Sequence, residues 1–132
     1  ERDGIVSALL LLECLATEKK PLGVLLGELE AKVGPHCYRR LDLQLARPED
    51  GAELGRRVAS DPPAHIDGWR VKEVETLDGV KLIGTDGGWL LIRPSGTEPV
   101  LRLYAEAQTQ GQVSRLLDWG KAYADKIQRN TP

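Results

Sequence analysis

Residues 69–107 read "WRVKEVETLDGVKLIGTDGGWLLIRPSGTEPVLRLYAEA", and the way this stretch divides decides the fold. Four short apolar runs, "WRVKEVET", "VKLIG", "WLLIR" and "VLRLYAEA", are separated by turn signals. Asp78-Gly79 and Asp86-Gly87-Gly88 predict tight hairpins between the first three runs, because these residues tolerate the positive φ that hairpin turns require. An antiparallel meander results. Upstream, "YRRLDLQL" sets Leu41, Leu43 and Leu45 against Arg40, Asp42 and Gln44, the alternation of a strand with one solvated side. A short helix is predicted from about Pro48 to Ser60, with Leu54 and Val58 turned inward. A longer one runs from about Gln110 to Gln128, with Val113, Leu116, Leu117, Ala124 and Ile127 on one stripe. Residues 38–132 therefore read as an α+β domain, an antiparallel sheet of four strands or slightly more, covered on one face by two helices. The closing "RNTP" reads as a frayed tail.

The first part of the chain follows a different rule. Asp3 is placed to cap a helix from Gly4 to about Glu18 whose apolar residues, from Ile5 to Leu15, surround it on most sides. Pro21, at a first helical position, opens a second helix with Leu22, Leu25, Leu26, Leu29 and Val33 at helical spacing, closed by Gly34 and Pro35. Residues 1–37 read as the helical end of a preceding domain plus a linker. With no methionine anywhere, position 1 included, the chain reads as a piece of a longer protein.

Composition bounds the function. Of the 132 residues 41% are hydrophobic and 29% charged, which is ordinary globular usage. A net charge of -2 gives no general field for attracting nucleic acid or an anionic membrane, so any anion site must be local. The longest apolar stretch, Ile5 to Ala16, is interrupted by Ser7 and Glu13 and falls short of the roughly 20 residues that span a bilayer. Cys14 and Cys37 have no metal-ligand spacing with His36 and His65, and the expectation is two reduced thiols in a cytoplasmic protein. Trp69, Trp89 and Trp119 are assigned to core packing, and neither histidine is given a role.

The chemistry concentrates in "RPSGTEP", residues 93–99, between two runs expected to pair as strands. A glycine in a tight loop lets backbone N–H groups approach a ligand, Ser95 and Thr97 add hydroxyls, and Arg93 adds a bidentate fork. Together with Gly96 these suit a phosphate. Arg102 shares a strand face with Val100, Tyr104 and Glu106 and is expected to emerge near the loop. Glu98 would repel a bound dianion unless it pairs with Arg93 or Arg102, and such pairing is expected. The same residues are ordinary turn formers, so the residues alone leave a plain turn and a phosphate site both open.

"RPSGTEP" followed by "VLRLYAEA" resembles the C-terminal domain signature of the α-D-phosphohexomutases, the phosphoglucomutase and phosphomannomutase family. "ERDGIVSALLLLE" resembles the helix that follows the sugar-recognition loop in the third domain of these enzymes. The resemblance implies a four-domain isomerase that interconverts hexose 1-phosphate and hexose 6-phosphate through a hexose 1,6-bisphosphate intermediate. It implies a phosphoserine in the first domain, a magnesium ion (Mg2+) held in the second, and a TATA-box-binding-protein-like fourth domain. None of the catalytic or metal motifs lies in this chain, so no catalytic and no metal residue is assigned and the chain alone is expected to be inactive. Carried over by position, Arg93, Ser95, Gly96 and Thr97, with Arg102 in support, would bind the substrate phosphate that is not reacting. The implied partners are the phosphosugar and the other three domains. Phosphoglucosamine mutase of the same family, or a non-catalytic α+β binding module, is the alternative.

Overall fold

A computed structural model describes residues 3–46 and 50–130. The chain divides into two compact units, Glu1–Pro35 and His36–Pro132.

The first unit holds two helices, α1 (Gly4–Glu18) and α2 (Leu22–Val33). Asp3 caps α1 as its position predicts, its carboxylate accepting from the N–H groups of Ile5 and Val6. Lys19 ends that helix in the left-handed region at φ 50, and its N–H donates to the Leu15 carbonyl. Pro21 stands one residue earlier than expected. It is the extended cap of α2, and its carbonyl accepts from Val24 and Leu25. Neither helix has a buried residue.

The second unit is the α+β domain. Its elements are β1 (Cys37–Gln44), α3 (Gly51–Ser60), β2 (His65–Ile66), β3 (Trp69–Glu75), β4 (Val80–Gly84), β5 (Trp89–Pro94), β6 (Val100–Ala107) and α4 (Gln110–Asn130). The strands form one six-stranded sheet in the order β1-β6-β5-β4-β3-β2, with every described pair antiparallel. The meander of residues 69–107 is therefore the middle of the sheet, and β1 crosses over to pair with β6. The added sixth strand is β2, joined to β3 by Asp67-Gly68, both at positive φ (46 and 80). Two left-handed residues in a two-residue loop match the twist that hairpins favour.

Alternation along the strands gives the sheet one buried face. Val80, Leu82, Leu90, Ile92, Leu101 and Leu103 are buried there with Leu54 and Val58 of α3 and Val113, Leu116 and Leu117 of α4. Burying each such side chain is worth about 1.5–3 kcal/mol before chain entropy is counted. Close approach relies on small residues. A Cβ on Gly120 of α4 would lie 2.9 Å from Leu103, and one on Gly84 would meet the Trp69 ring at 2.4 Å. Asp86 secures the β4–β5 turn, accepting from the Trp69 indole at 2.9 Å, the Gly88 amide at 3.1 Å and the Gln112 side chain at 2.7 Å.

Some expectations need correction. Trp69 is a core residue and Trp119 packs partly buried against the core while stacking on Tyr123, but Trp89 lies on the opposite sheet face. There it neighbours Tyr38, with Lys81 Nζ over its ring at 5.2 Å. Odd and even positions of a strand face opposite sides, and the neighbouring Leu90 takes the core side. His36, to which the sequence gives no role, has its Nδ1 2.9 Å from Glu106 Oε1. Arg129 and Asn130 belong to α4 rather than to a tail, while Thr131 and Pro132 lie outside the described residues. The expected start of α3 at Pro48 likewise lies outside them, and the helix is described from Gly51.

Candidate phosphate-binding site

Strand β5 ends at Pro94 and β6 begins at Val100, so Ser95–Pro99 form a five-residue connection between adjacent antiparallel strands. Proline lacks an N–H, and Pro94 is placed where the ladder stops. The loop is tied at its base. The Ser95 amide donates to the Val100 carbonyl at 2.8 Å, and the Pro99 carbonyl accepts from Leu45 at 2.8 Å, just past the end of β1. The Val100 amide turns inward to the Glu98 carbonyl at 2.7 Å. The amides of Gly96, Thr97 and Glu98 donate to no acceptor among the described residues, and these three residues are exposed. Among the described residues Ser95 is the one buried polar residue, and neither its hydroxyl nor that of Thr97 has a partner among them.

Two arginines stand at the mouth of this loop. Arg93 and Arg102 are directly opposite in the β5–β6 register, with their Cβ atoms about 5 Å apart by the geometry of such pairs. Like charges placed this way repel, and the arrangement costs stability unless anions answer it. Two carboxylates are near. Asp78, in the β3–β4 turn, pairs with Arg93, Oδ2 to Nε at 3.0 Å. Asp42 is the β1 register partner of Arg102, yet Arg40 holds it by two bonds of 2.7 and 2.6 Å. Hydrogen bonding from Arg40, helped by the charges of Arg40 and Arg102 and opposed by desolvation, keeps the Asp42 carboxyl below its ordinary range. Among the described residues the buried Nε atom of half-buried Arg102 has no hydrogen-bond partner. A buried donor without an acceptor is costly, and either a water or a ligand oxygen can answer it.

The structure thus places Ser95, Gly96 and Thr97 in one loop, with Arg93 near the end of the strand that leads into it and Arg102 directly across from Arg93. The expected Glu98 pairing is absent. Among the described residues Glu98 makes no ion pair with either arginine, and the carboxylate that reaches Arg93 is Asp78. Asp78 is also the residue that sequence reasoning missed, read only as half of a turn. The φ of Gly96 lies outside the left-handed region, and a Cβ there would meet nothing within 4 Å. The loop backbone does not need glycine at that position.

The arrangement supplies N–H donors, hydroxyls and positive charge, which can bind an anion. Among the described residues no group of three His, Cys, Asp or Glu side chains could hold a metal ion. No helix there is long and apolar enough to cross a membrane.

Comparison with known proteins defines the class. The chain is 34% identical over 113 residues to a phosphopentomutase of Thermococcus kodakarensis, covering 86% of this chain and 24% of that protein. It is 37% identical over 119 residues to a phosphoglucosamine mutase of Halorhodospira halophila, covering 89% and 21%. It is 29% identical over 119 residues to a phosphoglucomutase/phosphomannomutase of Thermococcus kodakarensis, covering 90% and 24%. All three are sugar phosphomutases, and the chain spans about a quarter of their length or less. The family model described as phosphoglucomutase/phosphomannomutase, C-terminal domain, matches residues 43–118, more than half of the chain. The chain belongs to this family and carries its C-terminal domain.

Proposed function

We propose that this chain is the C-terminal part of a phosphohexomutase and that its loop grips the substrate phosphate that is not reacting. The reaction is the interconversion of hexose 1-phosphate and hexose 6-phosphate, with glucose or mannose as the sugar, through a bisphosphate intermediate. The observation that carries this reading is the opposed pair Arg93 and Arg102, with a buried guanidinium donor that no described residue answers beside loop amides that donate to none of them. Ser95 and Thr97 add hydroxyls, and Gly96 keeps the approach open.

The chemistry of a mutase explains why such a grip is useful. Its substrate must bind in two opposite orientations, so a contact that reads phosphate and ignores the carbon bearing it serves both half-reactions. Fixing the distal phosphate also orients the reacting end. Closing this domain over the sugar would exclude water that could otherwise hydrolyse an activated intermediate. Phosphoryl carrier and magnesium belong to other parts of the whole protein, and Glu1–Pro35 to the end of the preceding domain. The names of two relatives, phosphoglucosamine mutase and phosphopentomutase, favour a second reading in which the sugar differs and the phosphate grip is the same.

Titration with inorganic phosphate and with glucose 1-phosphate, following the amide signals of Gly96, Thr97 and Glu98, tests the site. Shifts at millimolar ligand, reduced in Arg93→Ala and in Arg102→Ala, are expected. Mannose 1-phosphate and glucosamine 1-phosphate should shift the same signals. Unmoved amides would remove the site, and mutase turnover by this chain alone would overturn the division of labour.

A further inference from the structure

Arg93 is useful to a phosphate only if its guanidinium is held, and the structure shows what is available to hold it. The Asp78 carboxylate approaches Nε at 3.0 Å. Nε carries one N–H, whereas the two terminal nitrogens carry four and form the fork that matches a phosphate. A carboxylate on the Nε side therefore leaves the fork for the ligand. The turn that carries Asp78 is itself fixed against the same strand. A Cβ on Gly79, whose φ is 88, would lie 2.4 Å from the Ile92 carbonyl oxygen and 3.0 Å from the Arg93 Cα. Only glycine permits the β3–β4 turn to sit this close to the start of the loop. Val80 then pairs with Ile92 in the β4–β5 ladder, which sets the register of Asp78 relative to Arg93.

From this geometry we infer that Asp78 is a positioning residue for the phosphate site, drawing the Arg93 guanidinium toward its Nε side by ion pairing so that its terminal nitrogens are presented to the ligand. The inference rests on the phosphate-grip reading above. It gives Gly79 a reason beyond turn formation, since close backbone contact delivers the carboxylate to a fixed place. It also assigns the cross-strand repulsion between Arg93 and Arg102 two different answers, a fixed carboxylate at Arg93 and the ligand at Arg102. Both Asp78 and Arg93 are well exposed, at 69% and 43% of their side-chain surface, so the pair adds little to stability and its effect is on orientation.

The test uses the chain with Asp78→Ala, Asp78→Glu and, as a charge control, Asp67→Ala, which removes a carboxylate paired with Arg115 instead. Phosphate affinity is read from the Gly96 and Thr97 amides, and the Arg93 Nε–H resonance reports whether that guanidinium is held. Asp78→Ala should weaken phosphate binding on the order of threefold to tenfold and broaden the Nε–H signal, with core amides unmoved. Asp78→Glu should recover part of both losses, and Asp67→Ala should match the unaltered chain. Unchanged or tighter binding in Asp78→Ala overturns the inference, as does equal loss in the Ala and Glu variants. Failure of the unaltered chain to bind phosphate removes the site reading itself. Binding by that chain with no Asp78 effect removes only this step.

Discussion

Leucine is abundant in both units of this chain, and the two use it in opposite ways. In Glu1–Pro35, Ile5, Leu9, Leu10 and Leu12 of α1 remain 59–76% exposed, and neither helix buries a residue. In His36–Pro132, Leu82, Leu90, Leu101 and Leu103 lie beneath α3 and α4 with almost no exposed surface. Capping and propensity specify the helices of the first unit locally, but helices of about 12–15 residues are marginal in water without packing. The second unit closes its own core because a sheet face and two helix stripes meet. Local sequence is therefore enough to write a helix, while a stable domain needs complementary faces within the same unit.

The sharpest way to break that contrast is to cut one leucine from each unit. Leu103→Ala should cost about 2–5 kcal/mol in urea unfolding, since the site is fully buried against α4. Leu9→Ala should shift the same transition by less than ~0.5 kcal/mol. Tryptophan fluorescence reads only the second unit, because Trp69, Trp89 and Trp119 all lie there. Equal losses from the two substitutions would mean that the first unit supports the core of the second.

A smaller effect is expected at Asp86, where side chains of β3 and α4 meet a turn. Asp86→Ala leaves the Trp69 indole N–H and the Gly88 amide without their acceptor, and a loss of about 1–2 kcal/mol follows. Burial pushes the Asp86 carboxyl up, but bonds from Gln112, Trp69 and Gly88 outweigh it and the net displacement is downward. A depressed folded value means that this contribution is complete above the unfolded value near 4. It is lost as the pH falls through the lower folded value. Acid unfolding of the Ala variant should therefore lack the part of the pH dependence that Asp86 supplies. A parallel acid limb in both proteins would assign that dependence to other carboxylates.

These cases show what sequence makes legible. Period-two alternation locates β1 and β3 to β6, and Asp-Gly signals locate the turns, because both are local consequences of backbone geometry. Strand β2 escaped although Asp67-Gly68 is a hairpin signal of the same kind, because two residues are too short to show a period. Trp89 was misplaced because residue type says nothing of which sheet face a position takes. In the candidate site, Arg93 to Thr97 were legible as a contiguous motif, and Arg102 followed from strand parity. Asp78 was not, since its relation to Arg93 exists only once β4 and β5 pair.

The smallest stability effect separates fold from site most cleanly. Glycines in this chain that serve the fold show a reason, positive φ at Gly87 or lack of room at Gly84. Gly96 shows neither, so Gly96→Ala should leave stability unchanged or raise it by up to about 1 kcal/mol through the unfolded chain. Phosphate binding should nonetheless weaken, because a methyl group on the exposed loop stands where a ligand would meet the backbone N–H groups. Thermal unfolding and phosphate titration of the same sample read the two quantities independently. Lost stability would mean that the loop backbone needs glycine after all, whereas retained stability with undiminished phosphate affinity would show that the ligand does not approach the loop at Gly96.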